Sequence, residues 1–203
     1  MYLPRQFEMH DRAMVLEVMR RHNFALLVSN DDDGGPFATH LPVVVGERDG
    51  GVLIEAHVAR TNPHWRHLMS QPEALMVFLG PHAYMSPVVY PDRERVPTWN
   101  YLAVHAYGRV RLVDDPAGKD ALLQRLIAIH DHAYAEQWRS LGEEFRGRML
   151  SGIVGFELAV ERLEGKFKLN QHRPEAHAAM KAAYARGSEE ERMLAEWMQR
   201  LGL

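Results

Sequence analysis

The residues best equipped for chemistry sit where a strand hands over to a helix, in His57-Val58-Ala59-Arg60-Thr61-Asn62-Pro63-His64-Trp65. Asn62 is a good N-cap and Pro63 a favoured first helical residue, so a short helix is expected to run to about Met69. Unpaired N–H groups and the positive end of the helix dipole favour an anion at such a start. Arg60 adds a planar fork suited to a terminal phosphate. A capped helix beside a surface arginine accounts for the same residues without any ligand.

Two further clusters carry charge or flat rings. In Gly165-Lys166-Phe167-Lys168-Leu169-Asn170-Gln171-His172-Arg173, the lysines fall on one side if the preceding strand continues, giving a cationic edge or simply a solvated strand end. In Pro97-Thr98-Trp99-Asn100-Tyr101, Trp99 and Tyr101 share a face and could stack on a planar ring or fill a dimer interface.

Several chemistries are excluded by what the chain lacks. It has no cysteine, which removes disulfides, thiolate nucleophiles and zinc ribbons, and suits a reducing compartment. There is no GxGxxG, P-loop, GxSxG or HExxH pattern. The chain has 12 histidines, but His64/His67 and His130/His132 lack a third ligand at a recognisable spacing, so no metal is expected. A net charge of −3 shows none of the basic excess usual for nucleic-acid binders. No apolar run reaches the roughly 18 residues of a membrane span. The opening Met1-Tyr2-Leu3-Pro4-Arg5-Gln6-Phe7-Glu8 does not read as a signal peptide, so a cytoplasmic protein is expected.

The elements that must position these residues follow from periodicity and turn chemistry. Residues 11–21 read as a helix capped by Asp11, with Met14, Val15, Val18 and Met19 inward. Strands are expected at 24–29, 37–45 and 52–58, joined by Asn/Asp/Gly turns into an antiparallel meander. Residues 74–79 read as a buried strand, and 87–97, with three prolines, as a loop. Residues 98–112 alternate an apolar even face with an odd face of Trp99, Tyr101, His105, Tyr107, Arg109 and Arg111. A helix is expected at 116–134 and a last strand at 153–163. The tail from Pro174 is helical and broken at Gly187-Ser188. There Ser188 and Glu191 form a capping box, and Met193, Leu194, Trp197, Met198 and Leu201 make a stripe that needs a partner surface. Strands on tight turns with inserted helices favour an α+β barrel over a βαβ sheet.

Eight segments in chain order resemble the PaiB-type, FMN-binding negative transcriptional regulators, relatives of the pyridoxamine-phosphate-oxidase-like flavin split barrels. They are Met1-Tyr2-Leu3-Pro4, Thr39-His40-Leu41-Pro42, His57-Val58-Ala59-Arg60-Thr61-Asn62-Pro63 and Gly80-Pro81-His82-Ala83-Tyr84-Met85-Ser86-Pro87. Pro97-Thr98-Trp99-Asn100-Tyr101, Val104-His105-Ala106-Tyr107-Gly108, Ile153-Val154-Gly155-Phe156-Glu157 and Glu164-Gly165-Lys166-Phe167-Lys168-Leu169-Asn170-Gln171 complete the set. Departures from the family pattern are Val88-Val89 before Tyr90-Pro91, Thr61 in place of alanine, Asn170 in place of serine, and a short 91–97 loop.

The resemblance implies an antiparallel split β-barrel over residues 1–174, peripheral helices, and a C-terminal helical extension over 175–203 packed on the barrel or a dimer partner. It implies a homodimer with FMN in the groove between subunits. Arg60, assisted by Thr61 and Asn62, would hold the phosphate. His40, Leu41 and His57 would approach the ribityl chain and ring, Trp99 and Tyr101 the ring or the interface, and Lys168 and Gln171 the cationic end. The role implied is a flavin-dependent or indirect regulator, the alternative being an FMN-dependent oxidoreductase using NAD(P)H. Direct DNA reading is poorly supported, because the only candidate recognition helix opens on Ser188-Glu189-Glu190-Glu191, which phosphates would repel. His105 and Tyr107 are candidates for proton transfer, but no catalytic residue is assigned.

Overall fold

In the computed structural model, which describes residues 1–92 and 94–203, the chain divides into two compact units. The strands are β1 (Glu8–Met9), β2 (Phe24–Asn30), β3 (Pro36–Pro42), β4 (Val44–Arg48), β5 (Gly51–Ala59), β6 (Glu73–Met85), β7 (Thr98–Val113) and β8 (Ile153–Lys168). They form an antiparallel sheet in the order β3-β2-β6-β7-β8-β5-β4, with β1 paired to β8. The helices are α1 (Arg12–Arg21), α2 (His64–Ser70), α3 (Pro116–His130), α4 (Tyr134–Ser140), α5 (Glu143–Ser151), α6 (His177–Tyr184) and α7 (Glu189–Arg200).

The unit made of His22–Phe78 and His105–Leu163 contains the meander. The turn after β2 is closed by Asp31, whose Oδ1 accepts N–H bonds from Asp33 (3.0 Å) and Gly35 (2.7 Å). Asp49 and Gly50, at φ 53° and 79°, make the left-handed pair that a tight hairpin needs between β4 and β5. The apolar run expected as one strand at 37–45 is in fact two. The β2 ladder runs through Phe24↔Pro42, the Val43 N–H extends it to Asn23 O at 2.9 Å, and from Val44 onward the chain pairs with β5 instead. As a result β3 pairs with β2 while β4 pairs with β5, and the two halves end on opposite edges of the sheet. β5 and β8 run in register from Val52↔Val160 to Ala59↔Ile153. Gly108 allows β7 to lie close to β8, since a Cβ there would meet Ala159 O at 2.0 Å. The helix expected at 116–134 stops at His130. Asp131 leaves the helical region (φ −150°, ψ 81°), and its Oδ1 accepts the Tyr134 N–H at 3.1 Å, which starts α4. Neither α4 nor α5 was expected. Leu27, Ile54, Met76, Ala106, Phe156 and Leu158 are fully buried in this unit.

The other unit is made of Met1–Arg21, Leu79–Val104 and Glu164–Leu203. Asp11 caps α1 as expected, accepting from Ala13 N (2.9 Å) and Met14 N (3.1 Å). The buried face is Val15, Leu16, Val18 and Met19, so Leu16 takes the place expected for Met14. The strand expected at 74–79 continues to Met85. Its buried residues change phase at Gly80-Pro81, from Ala74, Met76 and Phe78 to Ala83 and Met85, as an irregular strand position does. β8 also continues past 163, to Lys168, and Ser86 caps a short 3-10 turn at Pro87–Val89 inside the expected loop. Arg93, in the same loop, lies outside the described residues.

The capping box at Ser188 and Glu191 forms with both bonds present. The stripe of α7 finds its partner surface within the same unit. Leu194 and Met198 are fully buried, and the Trp197 ring meets Phe167 edge-on at 5.2 Å. Each such buried apolar side chain contributes about 1.5–3 kcal/mol.

Candidate functional site

Where β5 ends, Arg60 is tied down in every direction. Its backbone N–H donates to Gly152 O at 2.8 Å and its carbonyl accepts from Trp65 Nε1 at 3.0 Å. In the side chain, Nε donates to Ser151 O (2.9 Å), while Nη2 reaches Ile153 O (3.1 Å) and the Asp114 carboxylate. The same Asp114 oxygen accepts from Lys119 Nζ at 3.0 Å, and that lysine, from α3, is buried. Hydrogen bonds from Arg60 and then Lys119 hold the Asp114 carboxyl below its ordinary range. Two cations therefore face one carboxylate, leaving a positive corner whose arginine fork is pre-oriented by carbonyls. None of these bonds uses Nη1.

Beside this corner runs a chain of side-chain hydrogen bonds with a single consistent direction. Asn62 Nδ2 donates to Thr39 Oγ1 at 3.1 Å, and Thr39 Oγ1 lies 2.8 Å from His64 Nδ1. His64 Nε2 lies 3.0 Å from Ser29 Oγ, which donates onward to Asn30 O at 3.3 Å. Ser29 spends its one proton on that carbonyl and so must accept from His64 Nε2–H. Nδ1 is then the bare nitrogen that accepts the Thr39 hydroxyl proton. Asn62 Oδ1 in turn accepts the His64 backbone N–H at 3.0 Å, although the N-cap position of α2 falls one residue later than expected, at Pro63. His64 is fully buried with Phe37 edge-on at 4.9 Å, and burial followed by the nearby His67 lowers its pKa to about 4. Sequence reading named Asn62 but missed Thr39, Ser29 and His64 as one network. Only the spacing of Thr39 and Leu41 on one face of β3 hinted at it.

The other residues expected in this unit lie as follows. Leu41 is in the core, while His40, on the opposite face of β3, is exposed and stacked on Phe24 at 6.0 Å. Thr61 is exposed. His57 is half-buried, its Nδ1 is buried without a hydrogen-bond partner, and burial holds its pKa below the ordinary value. By strand alternation it shares a face of β5 with Glu55, which Arg125 of α3 grips at 3.0 Å.

Trp99, Tyr101, Lys168 and Gln171 lie in the other unit. Trp99 is half-exposed, stacked by His82 at 5.9 Å and met edge-on by Tyr84 at 6.5 Å. Tyr101 faces two ammonium groups, Lys166 at 5.3 Å and Lys168 at 6.0 Å from its ring centre. Lys166 is buried and donates to Tyr2 O at 3.0 Å. Lys168 donates to Thr98 Oγ1 and to Trp99 O. Desolvation and then Lys166 hold its pKa below the ordinary lysine value. The Gln171 amide closes the turn after β8, accepting from Leu169 N at 2.9 Å and donating to Phe167 O. Asn170 sits in that turn at φ 59°, a left-handed position that asparagine tolerates better than most residues. His105 Nδ1 lies 3.3 Å from the Tyr107 hydroxyl, and Arg162 covers the Tyr107 ring at 3.6 Å. Among the described residues no three His, Asp or Glu side chains converge as a metal site requires.

A family model described as "Putative FMN-binding domain" matches residues 1–162. The chain is 34% identical over 180 residues to the protein named "Protease synthase and sporulation protein PAI 2" of Bacillus subtilis (strain 168), covering 86% of this chain and 84% of that protein. An uncharacterized protein of Saccharomyces cerevisiae is 36% identical over 125 residues, 59% of this chain and 72% of its own length. Among solved structures, the flavocytochrome Anf3 of Azotobacter vinelandii superposes with a TM-score of 0.60 at 16% identity, covering 80% of this chain and 69% of its own. The FAD and heme binding protein of Mycobacterium smegmatis gives 0.60 at 14% identity, over 79% of this chain and 73% of its own. At such identities the likeness is one of fold, the flavin split barrel, in agreement with the α+β antiparallel architecture expected above.

Proposed function

The chain belongs to the PaiB-type FMN-binding family, and from that premise we propose that it is an FMN-dependent regulatory protein working as a homodimer, with flavin between two copies. Arg60, with Thr61 and Asn62, would take the terminal phosphate, and His40, Leu41 and His57 would line the ribityl chain and ring. Trp99, Tyr101 and Lys168 would come from the second copy, with Gln171 holding the turn that presents Lys168.

The donor set suits such a ligand: a positive corner for the phosphate, a His57 nitrogen without a hydrogen-bond partner, and a half-exposed indole for a flat ring. FMN, when bound, supplies hydride or single-electron exchange at its ring. Arg60 and Lys119 facing the single carboxylate of Asp114, in a chain of net charge −3, is the observation that carries the reading.

Regulation would be indirect, through flavin state or a partner. The first turn of α7 is acidic, and Glu190 and Glu191 are already engaged, by His82 N at 3.1 Å and by the capping box. Among the described residues no helix is long and apolar enough to cross a membrane. A chain without cysteine suits the reducing cytoplasm, where we place it.

The test compares FMN with riboflavin on the purified protein. FMN should bind at least about ten-fold more tightly, and Arg60→Ala should bring FMN down to the riboflavin level, the loss of one charge-assisted phosphate contact. Equal affinity for the two flavins would refute the phosphate assignment. Light scattering should give the mass of two chains. Rapid anaerobic bleaching of bound FMN by NADH or NADPH would favour the oxidoreductase alternative over the regulator.

A further inference from the structure

The unit built from both chain ends holds a cavity of about 460 Å³, within the roughly 300–1,000 Å³ typical of small-molecule sites. Of the residues assigned above to the flavin, only Lys168 lines it. Its walls come from the 3-10 turn at Arg5–Phe7, from Tyr90 and residues 94–98, and from the end of β8 with the turn after it.

The lining is cationic. Lys168, Arg95 and Arg173 face the cavity, against Glu94 as the carboxylate of the wall among the described residues. Arg95 is partly neutralised, its Nη2 lying 2.7 Å from Asp92 and 3.8 Å from Glu175, yet its Nε is buried with no partner. The Arg173 guanidinium has no side-chain partner among the described residues. Lys168 spends two of its three N–H donors on Thr98 Oγ1 and Trp99 O, which leaves the third. His172, also on the wall, reports the same field: after desolvation, Arg173 and Lys168 are the largest influences holding its pKa down. Tyr90, anchored through its hydroxyl by Asn170 Nδ2 at 2.9 Å, and Phe7 supply apolar surface.

We propose that this cavity binds a small organic oxyanion, a carboxylate or phosphate ester, whose head group is taken by Arg173 and Lys168 and whose body lies against Tyr90 and Phe7. All of its walls come from one chain, and Lys168 is the one residue that the cavity shares with the flavin site proposed above.

The experiment is calorimetric titration of the purified full chain, with its flavin content followed by absorbance, using phenyl phosphate, benzoate and inorganic phosphate at low ionic strength. Saturable binding is expected, tighter for the two aromatic probes than for inorganic phosphate. The preference between phenyl phosphate and benzoate identifies the head group. Arg173→Gln should weaken binding about ten-fold, as loss of a hydrogen bond to a charged group does. Glu94→Gln, which removes the opposing carboxylate, should tighten it about three-fold. The flavin content of both variants should match that of the parent. Absence of saturable binding, or affinities unmoved in both variants, overturns the proposal. So does release of bound FMN by the anion, which would make the cavity part of the flavin site instead.

Discussion

Replacing His64 by glutamine tests whether the buried relay is built as its hydrogen bonds require. In the folded protein His64 titrates near 4, against about 6.5 for an unhindered histidine. The folded state therefore refuses a proton that the unfolded chain accepts. Above pH 6.5 neither state is charged and the full stability is present. As pH falls from 6.5 to 4 the unfolded state alone is protonated, and stability drops by about 1.4 kcal/mol per pH unit, roughly 3 kcal/mol in all. Protonation is resisted first because the ring is buried and then because His67 lies nearby, and it would also cost the bond that Nδ1 accepts from the Thr39 hydroxyl. Glutamine keeps one amide near the hydroxyls but does not titrate. At pH 8 it should cost about 1–3 kcal/mol, the range for leaving one buried hydroxyl unsatisfied. Urea unfolding at pH 8, 6.5, 5.5 and 4.5 should then show a pH slope flatter than the parent's by the amount above. If parent and variant lose stability in parallel between pH 6.5 and 4.5, His64 is not the neutral centre of the relay. Nitrogen NMR of the imidazole at pH 7 gives a second check: the proton should reside on Nε2, and a protonated Nδ1 would contradict the direction of the chain.

Asp114→Asn should tighten FMN binding several-fold by removing the carboxylate that competes for Arg60 and Lys119, as read from flavin fluorescence quenching; weaker binding would mean that Asp114 orients the arginine instead. Gly108→Ala should cost more than about 3 kcal/mol or abolish folding, because its methyl would stand 2.0 Å from a backbone carbonyl that cannot move aside. A melting temperature close to that of the parent would show that β7 and β8 have room to part there.

Much of the frame was legible from local rules. Asp11, Ser188 with Glu191, and the Asp49-Gly50 turn act through neighbours a few residues away, so side-chain type and spacing sufficed to find them. Alternation along residues 98–112 likewise assigned Asn100, Leu102, Val104 and Ala106 to the interior, where all are fully buried. The α7 stripe was legible as a stripe, but not that Phe167 would cover its tryptophan.

The candidate site divides along the same line. Sequence alone marked Arg60, Asn62 and Lys168 as the groups able to meet an anion, because charge, fork geometry and a helix start are properties of a short segment. What Arg60 holds was decided by the fold. Asp114 and Ser151 are distant from Arg60 along the chain, and Asp114, already bonded to Lys119 five residues on, meets the arginine only because the end of β7 comes beside the end of β5. His64 read as one histidine among many until β2 and β3 set a hydroxyl against each of its nitrogens. The 37–45 run looked like one strand because periodicity cannot say which neighbour each half will pair with. The chain changes partner at Val43, from β2 to β5, and the sheet carries the halves to opposite edges. Local chemistry can nominate a charged or polar group, but its partner, and so its protonation and freedom to bind, depends on long-range pairing that no spacing in the chain records.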